Sequence, residues 1–367
     1  MSAFERAAAV LREGIATRAF PAAVAEVGRA EGPVWTAAFG RLTYHPDSAE
    51  VTPGTVFDLA SLTKVVATTT LAMRAVDEGR LTLETRVGDC LRAWRGSDRE
   101  TVTVRDLLAH ASGLTAYLPF YRDFTGRQEF EHAICTMALE YEPRSRSLYS
   151  DLGFMLLGFI LEDARGKAGG PRWDPATGLA PQFHRLAAYI TPEPLAFHPP
   201  RSWRPHTAPT EVDPWRGRLL VGEAHDENTW ALGGAAGHAG LFGTAPGVGA
   251  YARTMLLTIG GRDILARSAT AREFIETSGI PGSSRALGWD TMRPTSSCGT
   301  RMSPTAIGHT GFTGTSLWID WERDLYVVLL TNRVHPTRAN EAIRAIRPAF
   351  HDAVMEEIQK STTATGE

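Results

Sequence analysis

Phe57-Asp58-Leu59-Ala60-Ser61-Leu62-Thr63-Lys64-Val65-Val66-Ala67 is the stretch on which the reading of this chain turns. It opens a predicted helix over 61–79 that stops at Gly79. Ser61 and Lys64 stand at i and i+3 and therefore share a helical face, which brings an amine within reach of a hydroxyl. A serine hydroxyl is a poor nucleophile at neutral pH and needs such a base. The helix N-terminus favours negative charge developing beside it. The apolar continuation Val65-Val66-Ala67 points to a partly buried Lys64 and not to a surface lysine beside a helix cap. Composition adds weight. Of the 38 Lys plus Arg residues only Lys64, Lys167 and Lys360 are lysine. A lysine retained in so arginine-rich a chain fits a task that requires losing a proton, which arginine does not do.

Two further elements follow in order. Tyr149-Ser150-Asp151 precedes an apolar helical stretch, 150–164. A tyrosine there accepts or relays a proton if nearby positive charge, with Lys64 as the obvious source, pulls its pKa below the usual value of about 10. Read alone, it is more simply a tyrosine beside an aspartate helix cap. His309-Thr310-Gly311-Phe312 leads into the strand-like Gly314-Thr315-Ser316-Leu317-Trp318-Ile319. Glycine before an edge strand lets a substrate approach the backbone. The Phe312 N–H then joins that of Ser61 as a candidate oxyanion hole. The plainer reading is a strand-entry turn with a surface histidine.

Around these elements the chain alternates in character. An amphipathic helix is predicted over 3–18, and the strands Ala22–Val27 and Val34–Phe39 form a hairpin about Glu31-Gly32-Pro33. A short helix starts at Thr103, another covers 246–258, and one over 338–358 closes the chain. Strands are predicted at 285–292, 315–320 and 325–331. Between 167 and 230 the sequence is rich in proline and tryptophan and reads as a folded wall or lid. Two early and three late strands make one antiparallel sheet covered by the terminal helices, with a helical lobe between.

The 367 residues carry a formal charge of -3, with 43% hydrophobic and 22% charged residues. That composition is globular and favours neither nucleic acid nor an anionic membrane as partner. No apolar run approaches the ~20 residues of a membrane helix. No secretory signal is visible at Met1-Ser2-Ala3-Phe4, so the expected location is cytoplasmic, although an exported form trimmed of its leader reads the same way. Cys90, Cys135 and Cys298 fit no zinc spacing or disulfide framework, and there is no H-E-x-x-H pattern. The glycine-rich run 233–243 lacks the strand and following acid of a dinucleotide site. Neither cofactor nor metal is expected, the partner being a small-molecule or peptide substrate. Oligomeric state is left open.

The order Ser-x-x-Lys, Tyr-x-Asp, His-Thr-Gly resembles that of the serine β-lactamase and penicillin-binding protein superfamily. Leu107-Leu108-Ala109-His110-Ala111-Ser112-Gly113-Leu114, Ala239-Gly240-Leu241-Phe242-Gly243-Thr244-Ala245-Pro246 and Leu329-Leu330-Thr331-Asn332-Arg333 are similar to its class C branch. The resemblance spans about 5–355. It implies an α+β fold with an antiparallel five-stranded sheet, flanked by N- and C-terminal helices, plus an all-helical lobe. Residues 1–57 with 285–367 make the sheet domain, and 58–284 make the lobe, including the 167–230 insertion. It also implies that Ser61 is the acylated nucleophile, that Lys64 and Tyr149 act as general base and acid, and that Ser61 and Phe312 amides form the oxyanion hole. Asp151, His309, Thr310 and Gly311 would bind substrate.

Two positions depart from class C β-lactamases: His309 stands for lysine, and Asp151 for asparagine. A histidine is mostly neutral at pH 7, so the fixed charge that meets a β-lactam carboxylate is missing at that position. Asp151 adds negative charge, able to pair with Lys64 or to attract a cationic group. The expectation is therefore a serine hydrolase of small esters or D-amino-acyl amides and peptides. The alternative is a true β-lactamase, or a catalytically weak penicillin-binding or scaffold protein.

Overall fold

Leu325–Thr331 is buried at every position, which requires cover on both faces. In the computed structural model, which describes residues 4–164 and 178–364, this strand lies inside a six-stranded sheet. The order across the sheet is Gly32–Gly40, Ala22–Arg29, Leu325–Thr331, Ser316–Asp320, Ile307–Thr310 and Asp290–Thr291, every neighbouring pair antiparallel. Side-chain alternation splits the central strands between two cores. Val24, Leu317, Ile319, Tyr326, Val328 and Leu330 face the helical side. Ala23, Ala25, Val27, Trp318, Val327 and Leu329 face the terminal helices Glu5–Ala16 and Ile343–Ala364.

The five-strand expectation is thus one strand short. The pattern at His309-Thr310-Gly311-Phe312 suggests a turn into a strand, but Ile307–Thr310 is a strand itself, paired with 316–319 on one side and 290–291 on the other. Four residues including a glycine leave too little alternation for the sequence to show it.

The largest core cluster joins the helical side of the sheet to the helices Thr70–Asp77, Asp151–Ala164 and Ala245–Ile259. Asp151–Ala164 is buried along most of its length, as its run of Leu, Phe and Met requires. The lobe is not wholly helical. Phe57–Asp58, Leu241–Gly243 and Leu195–Phe197 form a small sheet, and Val212–Asp213 pairs with Arg218–Leu219. Within the proline- and tryptophan-rich segment, Leu179–Ile190 is an amphipathic helix that buries Leu179, Phe183 and Leu186. Pro171 and Trp173 lie outside the described residues. No described helix is long and apolar enough to cross a membrane.

Candidate active site

Ser61 is presented by a strained turn. Asp58 is buried in the short strand before it, and its carboxylate accepts from the Ala60 N–H (2.8 Å) and the His225 N–H (2.7 Å). Ala60 is held at φ 46°, a left-handed conformation that costs a non-glycine residue about 1 kcal/mol or more and persists only where the surroundings enforce it. Beyond Ser61 the first turns are not ordinary α-helix. Lys64–Thr69 is a π-helical stretch that passes into the α-helix Thr70–Asp77, a distortion often found at functional sites.

Lys64 is fully buried, and its ammonium meets three acceptors. These are Ser61 Oγ at 2.9 Å, the His238 carbonyl at 3.0 Å and the Asp151 carboxylate at 2.7 Å. Tyr149 Oη donates to Ser61 Oγ at 2.8 Å. Ser61 Oγ therefore accepts from both candidate partners. Burial alone would lower the Lys64 pKa, but the charge of Asp151 and the proximity of Tyr149 outweigh it and hold the value above normal. Tyr149 does not follow the sequence expectation. Burial raises its pKa, and Lys64 opposes this without reversing it, so the phenol stays protonated.

His110 positions Tyr149, a role that the local pattern of Leu107–Leu114 does not reveal. His110 adopts φ 55°, its carbonyl accepts from the Leu148 N–H, and its Nδ1 accepts from the Ser150 N–H at 3.0 Å. Its ring packs against Tyr149 and Phe154 with centroids 4.8 and 4.9 Å away. Burial, with Arg285 and Lys64 nearby, keeps it neutral.

On the opposite side, the loop after Ile307–Thr310 is hooked onto the backbone that precedes Ser61. Thr313 Oγ1 donates to the Asp58 carbonyl (2.7 Å) and Thr315 Oγ1 to that of Leu59 (3.0 Å). Gly311 fits between them: an added Cβ would lie 2.1 Å from Thr315 Oγ1 and 2.5 Å from the Leu59 oxygen. Among the described residues, neither the Ser61 nor the Phe312 N–H has a hydrogen-bond acceptor. His309 is buried. Its Nδ1 donates to the Thr310 carbonyl at 2.8 Å, leaving Nε2 bare. Burial and the charges of Lys64 and Arg285 push its pKa well below the ordinary value, so it is neutral.

These groups open into one cleft of about 630 Å³, lined by Ser61, Tyr149, Asp151 and residues 309–312. Asp226 and Glu227 stand on its walls together with Arg285, Arg333, Arg344 and Arg347. The missing lysine charge at 309 is thus matched by guanidinium groups from elsewhere in the chain. Arg285 pairs with Asp290 at 2.6 Å and lies over the Tyr149 ring at 5.1 Å. Nothing in the sequence marks Arg285. Arg347 does leave a signal, since it interrupts the apolar face made by Ile343, Phe350 and Val354. Of the described part of the 167–230 segment, only His225, Asp226 and Glu227 line the cleft, and they belong to its final turn. Trp215 and Trp230 stack edge-to-face at 5.4 Å outside the lining. Among the described residues no cluster of His, Cys, Asp or Glu is placed to hold a metal ion.

Comparison with known proteins agrees with this architecture. A protein of Escherichia coli (strain K12), provisionally named a D-alanyl-D-alanine carboxypeptidase, is 30% identical over 312 residues, covering 78% of this chain and 71% of that protein. An N-acetylmuramyl-L-alanine amidase of Bacillus subtilis (strain 168) is 29% identical, covering 86% and 78%. Among solved structures, EstCE1, a hydrolase with promiscuous acyltransferase activity, superposes with a TM-score of 0.73 at 21% identity over 96% of this chain and 98% of its own. A class C β-lactamase from Rhodobacter sphaeroides gives 0.71 at 20% identity over 96% and 99%. The family model described as Beta-lactamase matches residues 7–350. With that match spanning nearly the whole described fold, the chain belongs to the β-lactamase family and is a serine hydrolase.

Proposed function

We propose that this enzyme hydrolyses small esters and D-amino-acyl amides through an acyl-enzyme on Ser61, with D-alanyl peptides ending in a free carboxylate as the favoured class. The observation that carries the reading is Ser61 Oγ held between Lys64 Nζ and Tyr149 Oη, at 2.9 and 2.8 Å, at the base of an arginine-walled cleft. Once one proton has left the Lys64–Tyr149 pair, the base so formed takes the Ser61 proton as Oγ attacks the carbonyl. The oxyanion develops towards the Ser61 and Phe312 amides. Collapse expels the alcohol or amine, which takes a proton from the same pair, and water reverses the sequence to release the acid. Arg285, whose guanidinium lies over the Tyr149 ring at 5.1 Å, suits a leaving-group carboxylate, since guanidinium binds carboxylates in a planar fork. The names of the Escherichia coli and Bacillus subtilis relatives support amide chemistry of this kind.

The test is a substrate panel of nitrophenyl ester, D-alanyl-D-alanine peptide and cephalosporin on the wild type and Ser61→Ala. Ester and D-alanyl turnover that vanishes in the variant is expected. Unchanged turnover in Ser61→Ala would overturn the assignment.

A further inference from the structure

Arg347 is an anomaly by ordinary rules of burial. It is 8% exposed, yet no carboxylate among the described residues lies within ion-pair distance and its Nε has no partner. An uncompensated buried cation is expensive, and proteins normally pair it. Its guanidinium donates instead to the carbonyl of Gly311, at 2.8 Å. That carbonyl and the Phe312 N–H are the two ends of one peptide group.

We infer that Arg347 is a positioning residue that polarises the Gly311–Phe312 peptide and so strengthens the Phe312 N–H as an oxyanion donor. This rests on the proposed role of Ser61 and of the two amides. The peptide bond is conjugated, so a positive donor on its oxygen draws electron density from nitrogen and leaves the N–H more positive. A charged donor does this about twice as strongly as a neutral one. Two other contacts hold this loop in place, one on the same peptide and one on the next. The Gly314 N–H also donates to the Gly311 oxygen at 3.0 Å. Arg333 Nε donates to the Phe312 carbonyl at 2.8 Å, with its guanidinium 4.4 Å from the Phe312 ring centre. Burial and the neighbouring Arg333 lower the Arg347 pKa to about 9, which still leaves it cationic at neutral pH. Arg347 lines the active-site cleft as well as a second cavity of about 360 Å³ that Thr310 borders, so direct contact with an anionic substrate is the competing role.

The experiment compares the full-length wild type with Arg347→Gln, which keeps a neutral donor, and Arg347→Met, which keeps none. Each is assayed with a neutral nitrophenyl ester and with a D-alanyl ester bearing a carboxylate. Binding of an aryl boronic acid, a tetrahedral mimic, and the rate of fluorophosphonate labelling of Ser61 are measured alongside. Outright loss of an oxyanion donor lowers kcat about 10²–10³-fold. A weakened donor should therefore lower kcat about tenfold for both esters, with KM within about twofold, and boronate affinity should fall in proportion to kcat/KM. A higher KM for the anionic ester alone would make Arg347 a substrate contact. Unchanged kcat with a lower Tm would make it a structural clip. Either result overturns the inference. If Arg347→Met does not fold, Arg347→Gln decides. Failure of wild-type Ser61 to label would remove the proposed function itself. Labelling at the wild-type rate in the variants would remove only the role of Arg347.

Discussion

Gly311→Ala tests whether the two halves of the proposed oxyanion hole are held together where the structure joins them. The φ of Gly311 is open to alanine, so the perturbation is purely steric. Its Cβ would sit 2.5 Å from the Leu59 carbonyl oxygen and 2.1 Å from Thr315 Oγ1, where real contacts are essentially never below 3.0 Å. Thr315 cannot swing aside freely, because its hydroxyl is bonded to Leu59 and its carbonyl to the Gly311 N–H. The loop and the Leu59–Ser61 backbone must therefore part by roughly 0.5–1 Å. Misplacement of about 1 Å at a reacting centre costs about 10²-fold. We expect kcat for a nitrophenyl ester to fall ten- to a hundredfold, and overpacking to lower stability by about 1–3 kcal/mol. Gly28→Ala is the matched control, since its Cβ would strike the Tyr326 hydroxyl at 2.3 Å and two ring carbons at 2.5 and 2.6 Å, away from the cleft lining. It should lower Tm and leave kcat of the folded enzyme unchanged. If Gly311→Ala keeps kcat within about twofold while Tm falls as in the control, the oxyanion site is not assembled at this junction.

Other outcomes follow from the same geometry. Asp151 raises the pKa of Lys64, so Asp151→Asn should move the rising limb of the pH–kcat/KM profile to lower pH, and a limb at higher pH or unmoved would refute the pairing. Glu211 is pushed up by burial, but hydrogen bonds from His225 and Arg338 and the Arg338 charge bring it down to about 2 from an ordinary 4.5. A depressed carboxylate stabilises the fold above its unfolded pKa and loses that contribution as pH falls through the folded one. Urea midpoints should therefore drop between pH 4.5 and 2, and Glu211→Gln should flatten that part of the curve. Trp215→Ala should weaken the stacking with Tyr121 and Trp230 and lower Tm, while ester kcat and KM stay at wild-type values, because the pair stands outside the cleft lining. A change in substrate preference would return that segment to the cleft wall.

What depends on neighbours along the chain was legible before the fold. Three-residue spacing places Ser61 and Lys64 together, Thr103 caps its helix through a reciprocal bond with Asp106, and the unbroken apolar run 325–330 marks a strand covered on both faces. The order of three short motifs was enough for the family and most of the sheet. Partnerships between distant segments emerge only with the fold. Arg347 meets Gly311 36 positions away, Thr315 reaches Leu59 across 256, and Lys64 finds the His238 carbonyl across 174. The protonation state of Tyr149 belongs here too, because burial by the surrounding fold outweighed the one charge that the sequence suggested. The helix Leu179–Ile190 was hidden by the prolines on either side of it, and the strand Ile307–Thr310 by its shortness. Local pattern records which face of an element is apolar; which groups then meet, and with what charge, is settled when those faces close on one another.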